Sequence, residues 1–323
     1  MALIMTIIAG IDEAGYGPLL GPMVITITAF DVPDEKANCS LWDLLNDAIS
    51  NDMKGKGQRL TVRDSKKLYN AQKGLKPLEN AALSFLWSKD LKTTSFYQLL
   101  KNLLCYHTET IAGYPWYAEK DYPLPLATNI SAVLNYADLL KYALDKQGVK
   151  FCYASSCVVT VREFNEWVKA TDNKSVVLFN NCAALISRLW NNFKGNISLI
   201  VDKQGGRNNY AELLKGCLQK VDVKILKESA KVSTYEVVDE QRKMEISFVE
   251  KGEDTCMAVA LASIFSKYVR ELFMHLENQY WLRLVQNLKP TAGYYTDALR
   301  FLSQIADVRK KEAIQDNILI RIK

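Results

Sequence analysis

Histidine and paired cysteines, the usual material of metal and nucleophile sites, are scarce in this chain. Only two histidines are present, so neither a histidine-rich metal site nor a Ser-His-Asp triad is well supported. The seven cysteines are an odd number and include no CxxC pair, which argues against a disulfide framework and against a zinc site. Free thiols are typical of a reducing compartment, and we expect the protein to be cytoplasmic.

Long apolar runs are absent too. No stretch approaches the roughly 20 apolar residues of a membrane span. The first apolar run, which reaches Asp12, lacks the basic start of a signal peptide. The sequence also contains no internal repeat and no low-complexity segment. We therefore expect a soluble protein with no membrane partner.

The composition that remains is that of a globular protein. The 323 residues are 49% hydrophobic and 24% charged, enough to bury a core in one large domain or two. The net charge of +5 is mild, and it permits a nucleic-acid partner without requiring one.

The most informative stretch is residues 7–23, IIAGIDEAGYGPLLGPM. It begins as an apolar, β-branched run typical of a buried strand and then carries two adjacent carboxylates, Asp12 and Glu13. Five glycines and prolines follow within nine residues, and the alternation typical of a strand resumes at Val24. The pattern predicts a strand, an acidic tip, a tight loop and a second strand. An ordinary hairpin with charged residues at its turn is the alternative.

Another aspartate, Asp202, follows a strand predicted at residues 197–201. Ligands of open α/β sheets gather at the carboxyl ends of strands, so Asp202 lies where a ligand-binding residue is expected. A lone aspartate after a strand is also a common turn former, so both interpretations stay open at this point.

Four motifs resemble those of ribonuclease HII and occur in that family's order. They are GIDEAGYGPLLGP at 10–22, DSKKL at 64–68, VALASIFSKYVRE at 259–271 and AGYYTDALRFL at 292–302. Two positions depart from the family pattern. Tyr16 stands where the family has arginine, and Leu299 stands where it has histidine.

The resemblance implies an α/β fold, a ribonuclease H-like mixed five-stranded sheet flanked by helices, formed by residues 1–87 and 148–323. Residues 88–147 have no counterpart in the family pattern, and we expect them to form an inserted helical and aromatic lobe of unknown role. Its Tyr/Trp/Pro cluster at 114–122 could stack on bases, but packing of these rings against the core is the interpretation we favour.

The resemblance also implies four catalytic acids that bind metal. The first two match Asp12 and Glu13, and the third matches Asp202. The fourth falls on Glu253 by its spacing from the third motif, while chemistry would prefer the neighbouring Asp254. Oxygen ligands of this kind select Mg²⁺ or Mn²⁺, and two such ions suit in-line phosphodiester displacement. Consecutive strand residues face opposite ways, so both of the first two acids can reach the metals only if the strand ends or kinks there.

Substrate contacts are implied at the glycine loop, the second motif and the closing motif. The positions are Gly15, Tyr16, Gly17, Ser65, Lys66 and Tyr294. Backbone groups of a glycine loop can recognise a 2′-hydroxyl, and a basic helix start can seat a phosphate, although taken alone such a start is usually a solvated helix end. Tyrosine in place of arginine removes a cationic fork that could grip phosphate, and Tyr16 could stack on a sugar or base instead.

These features predict a metal-dependent endoribonuclease with a two-metal-ion mechanism. It would cut RNA in RNA/DNA hybrids or at ribonucleotides embedded in DNA, and we expect a monomer. One alternative is a non-catalytic RNA/DNA-hybrid-binding protein on the same fold, motivated by Tyr16, Leu299 and the insertion. Another is a related nuclease with DNA specificity.

Overall fold

A mixed seven-stranded sheet forms the centre of the fold, in the order β5-β2-β1-β6-β9-β8-β7. The computed structural model describes residues 4–52, 59–69, 74–105, 108–118 and 121–322. The strands are β1 Met5–Ala14, β2 Met23–Pro33, β3 Ile49–Ser50, β4 Leu60–Thr61, β5 Lys150–Val159, β6 Gly195–Asp202, β7 Asp222–Glu228, β8 Val232–Val238 and β9 Arg242–Val249. β3 and β4 form a separate small pair.

The helices of the described residues flank this sheet. They are α1 Leu41–Leu44, α2 Ser65–Leu68, α3 Lys76–Trp87, α4 Phe96–Asn102, α5 Thr108–Ile111, α6 Ile130–Gln147, α7 Val161–Thr171, α8 Lys174–Asn192, α9 Ala211–Cys217, α10 Met257–Leu284, α11 Tyr295–Lys311 and α12 Asp316–Leu319. Across the ranges that the structure describes, none of these helices combines the length and apolar character needed to cross a bilayer.

The fold class expected from the sequence is confirmed, but the sheet has two strands more than the five we predicted. The extra pair is β7 and β8, an antiparallel hairpin added beside β9. Buried and half-buried residues alternate along β8, which is the pattern of a strand with one face on the core. The predicted hairpin around the acidic tip is also present, because β1 and β2 pair antiparallel along their length.

The two faces of the sheet carry two hydrophobic cores. α10, α3 and α6 contribute to one core, and α7, α8 and α9 contribute to the other. α10 lies so close to β1 that a Cβ atom at Gly10 would sit 2.2 Å from the backbone nitrogen of Val259. Glycine is therefore required where the strand meets the start of the long helix.

The aromatic cluster of the segment 88–147 is part of the core. The Trp116 ring lies 5.9 Å from that of Tyr280, and the Tyr117 ring lies 4.8 Å from that of Phe273, both on α10. Trp116 and Tyr117 are buried, so these rings are not exposed for stacking on bases. The division of the chain into a domain at 1–87 and 148–323 and an insertion at 88–147 stays a prediction.

Candidate metal centre

Three carboxylates from distant parts of the chain converge at one edge of the sheet. One oxygen from each of Asp12, Glu13 and Asp202 lies within 4.8 Å of the others. They meet because β1 and β6 are parallel neighbours whose pairing ends at Ile11 and Val201, one residue before the acids. The carboxyl ends of the two strands therefore bring their side chains to the same place.

The strand that carries the first two acids does not end at Asp12. β1 continues to Ala14 and stays paired with β2, although its pairing with β6 has already stopped. The carboxylate of Asp12 accepts a hydrogen bond of 2.7 Å from the backbone N–H of Glu13. This bond turns the first carboxylate along the chain toward its neighbour, so the two acids meet although the strand continues.

Serines from two helices surround Asp12. The Ser263 hydroxyl bonds to the Asp12 carboxylate, and its oxygen lies 2.9 Å from the hydroxyl oxygen of Ser65. The Ser266 hydroxyl donates to the backbone carbonyl of Asp12 at 3.0 Å. The side chain of Asp12 is buried, and burial, followed by the charges of Glu13 and Asp202, raises its pKa well above the ordinary value.

Glu253 is the fourth carboxyl group of this site, which we call the acid cluster (Asp12, Glu13, Asp202 and Glu253). Asp202 accepts a 2.9 Å hydrogen bond from the backbone N–H of Gly252, and Glu253 interacts with Asp202 through its side chain. Glu253 is buried, and its Oε2 has no hydrogen-bond partner within the described part of the chain. Asp254 points elsewhere and pairs with Lys67 at 2.5 Å.

Burial and mutual repulsion make the carboxyl groups of the acid cluster costly to ionise. Burial and then the charge of Asp202 raise the pKa of Glu13 to about 7. Burial is also the largest cause that raises the pKa of Glu253 to about 7, with Asp202 adding to it. Several carboxylates with raised pKa values in one place have the donor chemistry and the repulsion that a hard divalent cation relieves.

Lys66 faces the acid cluster from α2. Asp64 caps this short helix by accepting a 2.9 Å hydrogen bond from the backbone N–H of Lys66. Burial alone would lower the pKa of the Lys66 ammonium, but the charges of Asp12, Asp64 and Glu253 raise it overall. The ammonium therefore supplies positive charge that offsets part of the repulsion among the acids.

The glycine loop (residues 15–22) is fixed by two buried arginines. Gly15 has a φ of +85°, and a Cβ atom there would lie 2.5 Å from Nε of Arg270. The guanidinium of Arg321 donates to the carbonyl of Gly15 at 2.5 Å and twice to that of Gly21, at 2.9 and 2.6 Å. Both the backbone conformation and the close approach require glycine at position 15.

The closing motif is tied to the same loop. The carbonyl of Gly293 accepts hydrogen bonds from the backbone N–H groups of Leu19 and Leu20, at 2.8 and 3.2 Å. Tyr294 follows with its side chain 53% exposed, and its ring centroid lies 5.9 Å from the guanidinium carbon of Arg270. The closing tyrosine therefore stands at the surface beside the glycine loop.

The structure brings together the four expected acids, with Ser65 and Lys66 beside them, while Gly15, Tyr16, Gly17 and Tyr294 belong to the adjoining glycine loop and closing motif. Sequence reasoning missed Arg321, which lies near the chain end and contacts the loop 300 residues away. A lone arginine inside the apolar run ILIRI was the available signal, because a charge in such a run is either exposed at an edge or buried with partners.

Comparisons with known proteins agree with the resemblance seen in the motifs. No family model and no curated protein matches the chain. Among solved structures, ribonuclease HII of Archaeoglobus fulgidus, from a complex with PCNA, is 13% identical with a TM-score of 0.44, covering 99% of this chain and 95% of its own. Ribonuclease H2 of Pyrococcus horikoshii is 15% identical with a TM-score of 0.44, covering 97% and 92%.

A third match is Bst-RNase HIII in complex with Mn²⁺, 14% identical with a TM-score of 0.43 over 99% of this chain and 66% of that one. These similar structures are ribonucleases of the HII and HIII types, and the likeness to them is distant. Likeness at this level does not decide the activity, for which the geometry of the acid cluster has to be considered.

Proposed function

We propose that this chain is a metal-dependent endoribonuclease that hydrolyses RNA phosphodiester bonds in RNA/DNA hybrids or at ribonucleotides embedded in DNA. The observation that carries the proposal is the convergence of Asp12, Glu13 and Asp202 within 4.8 Å, although 189 residues separate the second from the third. Folding gains nothing from bringing like charges together in a buried place, so such a cluster is a candidate functional site.

The acid cluster fits divalent cations. All of its donors are carboxylate oxygens, the hard ligands that Mg²⁺ and Mn²⁺ prefer. Among the residues that the structure describes, the buried Oε2 of Glu253 finds no hydrogen-bond partner, which is a costly state for a carboxylate oxygen and one that a cation would relieve. Asp12, Glu13, Asp202 and Glu253 would hold two ions. When bound, two such ions supply an activated water and charge stabilisation for in-line displacement at phosphorus.

The remaining residues act on the substrate and on the acids. Ser263 orients the carboxylate of Asp12, and Lys66 offsets the negative charge of the cluster. Backbone groups of Gly15 and Gly17 would meet the 2′-hydroxyl of the ribonucleotide, which is the feature that separates RNA from DNA. Tyr294, exposed beside the loop, offers a flat ring to the adjoining nucleotide.

Cleavage of four labelled duplexes tests the proposal. The first is a DNA duplex with one embedded ribonucleotide, and the second is a long RNA strand paired with DNA. The third is all DNA and the fourth is all RNA. Each duplex is incubated with the protein and Mg²⁺, and separately with Mn²⁺. We expect cutting of the first, the second or both, and no cutting by the Asp12→Asn variant. Folded wild-type protein that leaves all ribonucleotide-containing duplexes intact with either metal would refute the proposal. Binding without cutting would favour a hybrid-binding protein, and cutting of all-DNA would favour a DNA-specific nuclease.

A further inference from the structure

Tyr16 of the glycine loop lies against the start of α8. Its ring is half-buried, and the ammonium of Lys174, the first residue of α8, lies 5.1 Å from the ring centroid. Both residues line a narrow cleft of about 50 Å³, together with Gly17, Phe164 and Tyr295. The ring therefore holds a cation next to the loop that the proposed function assigns to substrate.

Arg207 provides a second cation in this neighbourhood. It lies in the loop that follows Asp202, and its guanidinium carbon is 5.3 Å from the Phe179 ring centroid and 5.9 Å from that of Tyr210. One amino group, Nη2, donates to the hydroxyl of Ser175 at 3.3 Å, and Nη1 is buried with no hydrogen-bond partner among the described residues. The rings and Ser175 hold the guanidinium in one place, where its positive charge attracts an anionic oxygen nearby.

The two cations belong to one neighbourhood beside the acid cluster. The Arg207 and Lys174 side chains are joined through α8, because Arg207 bonds to Ser175, the residue after Lys174. Burial and the charge of Glu13 raise the pKa of the Tyr16 hydroxyl, and the charge of Arg207 lowers it in part. Tyr16 therefore lies near one acid of the cluster and near both cations.

We propose that Lys174 and Arg207 form a backbone-phosphate subsite beside the acid cluster, with the ring of Tyr16 as its platform. The proposal rests on the proposed function, since a nucleic-acid strand whose scissile phosphate lies at the acids has further phosphates along its backbone. Acidic groups alone would repel those phosphates, and phosphate contacts are what position a nucleic acid on a protein.

Salt-dependent binding tests the subsite. All variants carry Asp12→Asn, which stops cleavage. Binding to a fluorescein-labelled duplex with one embedded ribonucleotide is measured by fluorescence anisotropy in the presence of Mg²⁺, at NaCl concentrations from 50 to 300 mM. Each phosphate contact contributes roughly 0.9 to the slope of log K against log salt. We expect Lys174→Gln to weaken binding about 5-fold and to reduce that slope by about 0.9. Lys194→Gln is the matched control, an equal loss of charge beyond the far end of α8.

Two further variants separate phosphate binding from a packing role. Arg207→Gln should reduce the slope by a similar amount. The melting temperature of this variant is measured as well, because Arg207 also packs against aromatic rings. Tyr16→Arg in the Lys174→Gln protein should restore the lost slope, because a guanidinium on the loop offers a positive charge to the same phosphate. A repacking defect would not be restored by a charge placed on a different element.

The outcomes keep the two proposals apart. If Lys174→Gln and Lys194→Gln bind with equal affinity and slope, the subsite is overturned, whereas cleavage by the wild type would still support the nuclease. If the wild type binds with a slope that depends on Lys174 but cuts nothing, the subsite stands and the nuclease proposal fails.

Discussion

Two groups of ionisable side chains differ in how their carboxyl groups are neutralised. One is the acid cluster, and the other consists of Arg270, Glu277 and Arg321. Burial raises the pKa of Glu277 to about 8, and the nearby charges of Arg270 and Arg321 act in the opposite direction. In the acid cluster, burial and the charge of Asp202 both raise the pKa of Glu13, and the charge of Lys66 lowers it in part. We call the second group the buried charge cluster.

The difference separates structural charge from functional charge. The buried charge cluster contains its own cations, and both arginines also donate to backbone carbonyls of the glycine loop, so these cations have a use in folding. The acid cluster has more negative charge than the chain neutralises, and it lies where a cation from solution can reach it, since Glu13 is only partly buried. Unbalanced charge that is open to solvent is the arrangement expected of a metal site.

The largest expected effect is on cleavage. Asp202→Asn removes a metal ligand and should lower the cleavage rate by about 10³-fold, because charge stabilisation by a metal ion is worth several kcal/mol. Glu277→Gln changes a more deeply buried carboxyl group in the other cluster and should change the rate by less than about 5-fold. Single-turnover rates on the embedded-ribonucleotide duplex measure both variants. Equal losses in the two would mean that the clusters do not differ in function.

Arg321→Met should have the largest effect on stability. It leaves Glu277 with less opposing charge and the carbonyls of Gly15 and Gly21 without their donors. Each buried carbonyl left without its donor costs about 1–3 kcal/mol, so we expect the free energy of unfolding to fall by about 3–5 kcal/mol, which urea denaturation would measure. Lys311→Met, at the exposed end of α11, is the control and should change the free energy of unfolding by less than about 0.5 kcal/mol. A small effect of Arg321→Met would contradict the inference that Arg321 stabilises the glycine loop.

The pH dependence of stability without metal should be smaller but informative. Glu13 and Glu253 have pKa values raised to about 7 and Glu277 to about 8, while the unfolded chain ionises near 4.5. Between these values the folded protein holds protons that the unfolded chain releases, so metal-free stability should fall as the pH rises from 5 to 8.

Two changes divide that pH dependence between the clusters. Saturating Mg²⁺ should remove the part that comes from the acid cluster, and Glu277→Gln should remove the part that comes from Glu277. Urea midpoints at pH 5, 6, 7 and 8 give both curves. Metal-free stability that rises over this range would show that these carboxyl groups do not keep their protons in the folded state.

The smallest expected effect distinguishes two neighbours. Glu253→Gln should reduce cleavage by about 10–100-fold, since Glu253 is buried against Asp202. Asp254→Asn should change it by less than about 2-fold, because Asp254 only pairs with Lys67 in an exposed ion pair. The reverse order of effects, measured with the same duplex, would transfer the role of the fourth acid to Asp254.

Sequence reasoning was sufficient where a local pattern determined the structure. The apolar run before Asp12 and the alternation after Val24 predicted the hairpin, and the strand before Asp202 predicted that this acid lies at a strand end. Spacing favoured Glu253 over Asp254, and in the structure Glu253 is the one that meets Asp202.

Contacts between distant segments could not be predicted in this way. Arg321 bonds to Gly21 across 300 residues, and Lys174 meets Tyr16 of the glycine loop from the start of α8, so no spacing in the sequence connects them. The strand β8 was not predicted, because its pairing with β7 and β9, not its composition, decides its conformation.

Titration with MnCl₂ by calorimetry tests the central claim most directly, that the acid cluster is a metal site. At pH 8 we predict binding of two ions per chain, weaker binding at pH 5.5 because the carboxyl groups are then protonated, and loss of binding in Asp12→Asn. Wild-type protein that binds Mn²⁺ at pH 8 no better than folded Asp12→Asn would contradict the account.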